Sequence, residues 1–217
     1  MTAIIELTPM ILPFVRDCSA PAAVVAARFA AIEFYKQTLW QQEMLEPVTL
    51  IDGQSIYELE TPPDTLPATV MRVEIENRQG VLPPVTKDRA DYLWGSSWVA
   101  RVGSPRCYTQ ISPLDICLID GPDAAAIQTF GRMLILCAVQ PTPDATEIDD
   151  TVFNYYAEAL AYGARARLVE TAGQPYYDPA SAPLLWGRFY GGVYEAKARR
   201  MRDHTRAVQS VQLRPWV

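Results

Sequence analysis

Val25, Phe29, Ile32, Tyr35 and Leu39 recur at three- and four-residue intervals, the spacing that lines one face of a helix. Ser19 stands before them as an N-cap with Pro21 in the first turn, so the pattern predicts a helix to about Gln42, with Arg28, Glu33 and Lys36 turned away from the stripe. A second helical run follows Pro141-Thr142-Pro143-Asp144. Thr146 is its expected N-cap, with Glu147, Asp149 and Asp150 in a first turn whose dipole favours carboxylates, and it extends to about Thr171. Two of its rows are apolar or small: Val152, Tyr155, Ala159 and Gly163, then Phe153, Tyr156, Leu160, Ala164 and Leu168. Such a helix expects neighbours on two sides, either other helices of its own chain or another subunit. Gly173 and Pro175 end it, and Asp178-Pro179 starts a third helix with the stripe Leu185, Phe189, Val193 and Ala196, basic towards Met201.

The texture changes between the first two helices. From Val48 to Val139 the chain is rich in Pro, Gly, Thr and β-branched residues, which predicts antiparallel strands. Val48–Ile51, Asp52-Gly53 and Ser55–Leu59 have the pattern of a hairpin with a two-residue turn. Further strands are expected at Thr69–Glu76, Val81–Thr86, Arg106–Ile111, Leu114–Ile119 and Ile127–Val139. The expected fold class is therefore α+β. A helical bundle is drawn from residues 1–44 and 140–206, an antiparallel β-rich insertion domain spans 45–139, and a C-terminal arm spans 207–217.

Composition narrows the function. In 217 residues, 49% are hydrophobic, enough for a sizeable core, and the net charge of −6 argues against a protein that coats nucleic acid with its whole surface. Cys18, Cys107, Cys117 and Cys137 form no C-x-x-C pair and there is one histidine, so neither a zinc site nor a disulfide framework is expected. The apolar stretch Met10–Val15 is short, broken by Pro13 and preceded by Glu6, unlike a signal peptide or membrane span.

No catalytic constellation emerges. His204 sits among arginines, Asp149-Asp150 fits helix capping, and Gly191-Gly192 fits close helix packing better than phosphate binding. No P-loop, G-x-S-x-G or dinucleotide motif is present, so no catalytic residue, metal or cofactor is expected. Charge is more informative. From Arg188 onward seven basic residues face two acids, while the rest of the chain holds 12 basic and 23 acidic groups. The tail Val211-Gln212-Leu213-Arg214-Pro215-Trp216-Val217 joins charge to an aromatic, and Asp91–Trp98 sets two tryptophans beside Gly and Ser. Both are compositions of docking segments.

Several segments together carry a resemblance: Arg28-Phe29-Ala30-Ala31-Ile32-Glu33-Phe34 with Leu39-Trp40-Gln41, Ile56-Tyr57-Glu58-Leu59, Gly103-Ser104-Pro105-Arg106-Cys107-Tyr108, Asp149–Tyr156 and Gly163-Ala164-Arg165-Ala166-Arg167-Leu168. In that order the chain resembles the head-to-tail adaptor, or head-completion, proteins of tailed bacteriophages, especially those of short-tailed phages. The resemblance implies a homo-oligomeric ring, usually twelvefold, under the portal protein. Such a ring carries the tail tube or nozzle while double-stranded genomic DNA passes through its lumen. It is assembled in the host cytoplasm and placed at the head-tail junction of the virion, with no membrane contact. On this basis Arg199, Arg200, Arg202, Arg206, Leu213, Arg214 and Trp216 are expected to meet the portal, Trp94 and Trp98 the tail, and Tyr156 and Leu160 a neighbouring subunit. The alternatives are another neck or tail component, such as a tail terminator or baseplate protein, and a small hydrolase using an acidic pair.

Overall fold

The computed structural model describes residues 1–201, so His204 and the expected portal contacts Arg202, Arg206, Leu213, Arg214 and Trp216 lie outside the described residues. In chain order the elements are β1 (Thr2–Ala3), α1 (Ala20–Thr38), β2 (Gln41–Met44), β3 (Ile56–Glu58), β4 (Thr65–Ile75), α2 (Lys87–Trp94), β5 (Val102–Gly103), β6 (Cys107–Thr109), β7 (Asp115–Ile119), β8 (Gly121–Pro122), α3 (Ala124–Thr129), β9 (Met133–Pro141), β10 (Glu147–Ile148), α4 (Asp150–Val169) and α5 (Ala182–Met201). Short 3-10 turns occupy Ile4–Met10, Leu12–Phe14 and Trp98–Ala100. At 43% helix and 22% strand the chain is mixed helix and sheet, consistent with class α+β. It divides into two compact units: Met1–Trp40 with the residues from Pro143 on, and Gln41–Thr142.

In the helical unit, α1 starts where the Ser19 hydroxyl accepts the Ala22 N–H, with Pro21 in the first turn. It ends at Thr38, short of the expected Gln42, because Leu39 turns left-handed (φ 51°) and Gln41–Met44 leaves to pair with β9. The buried face also differs from the expected stripe, of which Tyr35 alone is fully buried. Ala23, Ala26, Ala27, Ala30, Ala31, Phe34 and Tyr35 point inward, whereas Val25 and Phe29 are 44% and 43% exposed. A glycine on the neighbouring helix α4 explains this choice. A Cβ added at Gly163 of α4 would lie 2.7 Å from Phe189 Cδ2 and 3.1 Å from the Ala30 Cβ, so α1 comes close to the α4 backbone there while the Phe189 ring of α5 fills the space beside it. Only a face of small side chains admits that approach, and the dispersion energy of such close packing outweighs burial of the two larger residues left exposed.

The helix α4 runs back along α1, with Phe34 against Tyr156 and Arg167 over Phe29. Its partner α5 returns along α4, with Trp186 Nε1 donating to Glu170 and Arg199 over Tyr155. The N-cap of α4 is Asp149, whose Oδ1 accepts the N–H groups of Thr151 and Val152 at 2.7 and 3.2 Å. Thr146 cannot serve, since Glu147–Ile148 is already paired with Thr2–Ala3. Asp150 is held by the Thr2 hydroxyl at 2.6 Å. The third helix begins at Ala182 because Asp178 is drawn into a turn, its N–H donating to Val169 O. Ile4, Leu7 and Ile11, from the first 3-10 segment and the residue after it, complete this core and belong to none of the helices that the pattern predicts.

In the β-rich unit, β2, β9 and β4 form one antiparallel sheet and β3, β7 and β6 another. Val73, Ile75, Ile116, Leu118, Met133, Ile135 and Val139 fill its core. The expected Val48–Leu59 hairpin is not formed. Asp52-Gly53 does make a turn, with Gln54 N–H donating to Ile51 O and Gly53 at φ 71°, but β3 pairs with β7 and Val48 bridges Met133. Each arm finds a longer, more buried partner than the other arm offers. Val81–Thr86 is not a strand either, since Pro83 and Pro84 remove two ladder donors and leave the N–H groups of Leu82 and Val85 bonded to Val73 O and Tyr108 O. The start of the expected Ile127–Val139 strand is instead the end of α3, capped by Asp123 accepting the Ala126 N–H at 2.7 Å.

Burial pushes the thiols of Cys117 and Cys137 up to about 11, so both stay protonated at neutral pH and pack as small apolar groups. No helix among the described residues is long and apolar enough to cross a membrane.

Candidate functional site

Tyr156 and Leu160, expected between subunits, are inside the helical unit. Leu160 is fully buried, and Tyr156 packs between Phe34 and Trp40 at 5.2 Å from each ring centroid. This corrects the expectation that their row on α4 serves a neighbour, because α1 and α5 already cover both sides of that helix. What faces solvent is the other aromatic of the pair, Tyr155, at 65% exposure.

The tail candidates separate in the same way. Trp98 is 1% exposed and sits with Ala90, Cys107, Cys117 and Ile119 in a small core of its own, so it is not an exposed anchor; Trp94 packs partly buried against the same group. Gly95 at φ 76° lets the chain fold back after α2, and Trp98 Nε1 then reaches Asp91 Oδ1 at 2.6 Å. The side chains left in water are Tyr92, 80% exposed, and Leu93.

The Trp98 hydrogen bond, followed by the one from Lys87, holds the Asp91 carboxyl below its ordinary range. A depressed folded-state pKa gives a contribution fully present above the ordinary carboxylate value of about 3.9 and lost as pH falls through the lower folded value. The indole N–H resonance of Trp98 should accordingly hold its position on acidification to about pH 4 and move only below it. A transition at or above the ordinary value would show that this bond does not bias Asp91.

Of the portal candidates, Arg199 is surface-exposed, pairs with Glu195 at 2.9 Å and lies over the Tyr155 and Tyr156 rings, while Arg200 Nε is buried without a hydrogen-bond partner among the described residues. Sequence reasoning missed the outward apolar set: Val25 and Phe29 on α1, Tyr155 on α4, and Leu184 and Tyr194 on α5. The signal that could have found the α1 members is the alanine row at positions 23, 26, 27, 30 and 31, which has helical spacing of its own. Arg167 covers one member of this set, its guanidinium 6.0 Å from the Phe29 centroid, and lies 5.4 Å from the centroid of the partly buried Trp186.

Also missed was a groove of about 790 Å³ in the helical unit, between the N-terminal 3-10 segments, α4 and the start of α5. Arg165 stacks on Phe14 at 3.8 Å and donates through Nε and Nη2 to Met10 O, which fixes the 3-10 segment against α4. Desolvation holds the Arg165 guanidinium pKa below its ordinary value. Arg188 Nη1 donates to the Tyr162 hydroxyl at 2.8 Å, which donates in turn to Glu158 Oε1 at 2.9 Å.

No family model matches the chain, and no curated protein matches it.

Proposed function

We propose that the chain is a structural ring subunit, a head-to-tail adaptor that joins the portal of a tailed phage to its tail and leaves a channel for the genome. The observation that carries this reading is the outward apolar set of the helical unit. Its core is closed by the alanine face of α1 together with Phe34, Tyr35 and Phe189, yet Val25, Phe29, Tyr155, Leu184 and Tyr194 remain in water in the isolated subunit. Apolar side chains left on the outer faces of packed helices suit a repeating head-to-tail contact that covers them by closing a ring. On this reading the helices build the ring, the β-rich unit is an insertion facing the tail, and the basic C-terminal end reaches the portal. The acidic remainder of the chain, 12 basic against 23 acidic residues before Arg188, lets DNA slide through without being held.

The test pairs a cryo-EM map of the virion neck with two surface variants. The map should trace this chain as a ring directly beneath the portal, and Phe29→Glu or Tyr194→Glu should abolish ring assembly on the portal while leaving the subunit's melting temperature nearly unchanged, since both side chains are exposed. A neck in which the chain is absent, or placed away from the portal, overturns the reading.

A further inference from the structure

We propose that the groove between the N-terminal 3-10 segments, α4 and α5 docks a short peptide segment of a partner protein in which a carboxylate stands next to a bulky apolar side chain. The inference goes beyond the adaptor reading and rests on the groove's own chemistry. Its walls are prefixed: Arg165 is held by Met10 O and stacked on Phe14, and Arg188 is oriented by the Tyr162–Glu158 relay. That relay occupies one oxygen of Glu158 and a single nitrogen of Arg188, so the other N–H groups of Arg188 are left to a ligand. Arg16, exposed on the same lining, has no ion pair or hydrogen bond among the described residues. Guanidinium groups with spare parallel donors match the two oxygens of a carboxylate.

The apolar half of the site has an equally definite shape. Buried Val15 and Val169 and partly buried Leu185 line it together with exposed Phe14 and Tyr177, so an aromatic or branched side chain beside the carboxylate finds apolar cover. Two features favour a peptide over a nucleic-acid strand. Glu158 and Asp178 lie on the same lining and repel a run of phosphates, and the chain as a whole carries −6. One carboxylate is tolerated beside them because it meets arginine donors locally without bringing a second charge close behind.

The experiment uses the isotope-labelled full-length chain and four probes: acetyl-Ala-Asp-Phe-Ala-amide, its Asn-for-Asp and Ala-for-Phe versions, and an oligothymidine. The first peptide should shift the resonances of Tyr162, Val169 and Leu185 with a Kd of about 1 mM or below, and each altered peptide should bind on the order of tenfold more weakly. Arg16→Gln, which removes no contact within the fold, and Arg188→Gln should each weaken the Asp peptide about five- to tenfold and leave the Asn peptide unchanged, a charge-specific readout that loosening of the groove would not give. Equal binding of the Asp and Asn peptides, absence of shifts at about 10 mM, or tighter binding of the oligothymidine at the same resonances overturns the proposal.

Discussion

Gly192→Ala should destabilise the helical unit by about 1–2 kcal/mol, and Gly191→Ala, one residue earlier in the same helix, should stabilise it by roughly 0.5–1 kcal/mol. Both changes improve helix propensity by about the same amount, since alanine is favoured over glycine by ~1 kcal/mol inside a helix. The difference is what the new methyl meets. At Gly191 nothing lies within 4 Å, whereas at Gly192 the Cβ would stand 2.4 Å from the Ala159 Cβ. Neither methyl has a rotamer to escape into, so α5 must move off α4. One turn away Phe189 already fills the space over Gly163, and parting the helices loosens that contact as well. Overpacking of this kind costs about 1–3 kcal/mol, which exceeds the propensity gain. Urea unfolding of the two variants should move the midpoint in opposite directions. Ala159→Gly added to Gly192→Ala should restore most of the loss, because it removes the colliding methyl itself. If both single variants were stabilised, α4 and α5 would not meet in so close a seam.

Close helix approach of this kind also explains what the sequence pattern could and could not disclose. Helix existence was legible: Ser19 caps α1, and Phe189, Val193 and Ala196 point inward on α5. The inward face of α1 was not, because ranking side chains by size selects Val25 and Phe29 and ignores how close two backbones can come. Ala23, Ala26, Ala27, Ala30 and Ala31 become the core face only where α4 comes close, with Gly163 opposite Ala30, and no local pattern links residues so far apart. In the β-rich unit the Asp52-Gly53 turn was legible and its pairing was not, since pairing depends on which distant strand is more buried. The Gly and Ser neighbours of Trp98 suggest an exposed ring, and the local signal against it is Asp91, seven residues back, which accepts the indole hydrogen bond. The groove had no such signal. Phe14, Arg16, Tyr162, Arg165 and Arg188 come from three separate segments, and only the three-residue spacing of Tyr162 and Arg165 hints that they share a face.

Asp120→Ala should cost the β-rich unit about 2–3 kcal/mol, the other large effect expected in the chain. Asp120 is 2% exposed, follows β7 at φ 64°, and has Arg101 Nε at 2.8 Å from Oδ1 and Arg106 Nε at 2.9 Å from Oδ2. Only the Arg101 contact is a well-aligned hydrogen bond; the Arg106 contact is an ion pair at a poorer angle, so the first contributes most. The carboxylate ties two arginines that flank β5 to the turn between β7 and β8, where Gly121 N–H also donates to Arg101 O. Alanine removes a charge-assisted hydrogen bond worth about 1.5–3 kcal/mol and places a β-carbon residue without a polar side chain in a left-handed conformation that costs it about 1–2 kcal/mol. Part of this returns because both arginines are partly exposed and can be solvated once freed. Asp120→Asn keeps an acceptor and tolerates the left-handed backbone, and should lose about 1 kcal/mol. Asp120→Gly isolates the backbone component, since glycine adopts that conformation without strain, and should fall between the two. The measurement is urea unfolding of the three variants against the parent. The order Asn, Gly, Ala in rising destabilisation supports both contributions, and equal losses for Gly and Ala would mean that the left-handed backbone contributes nothing.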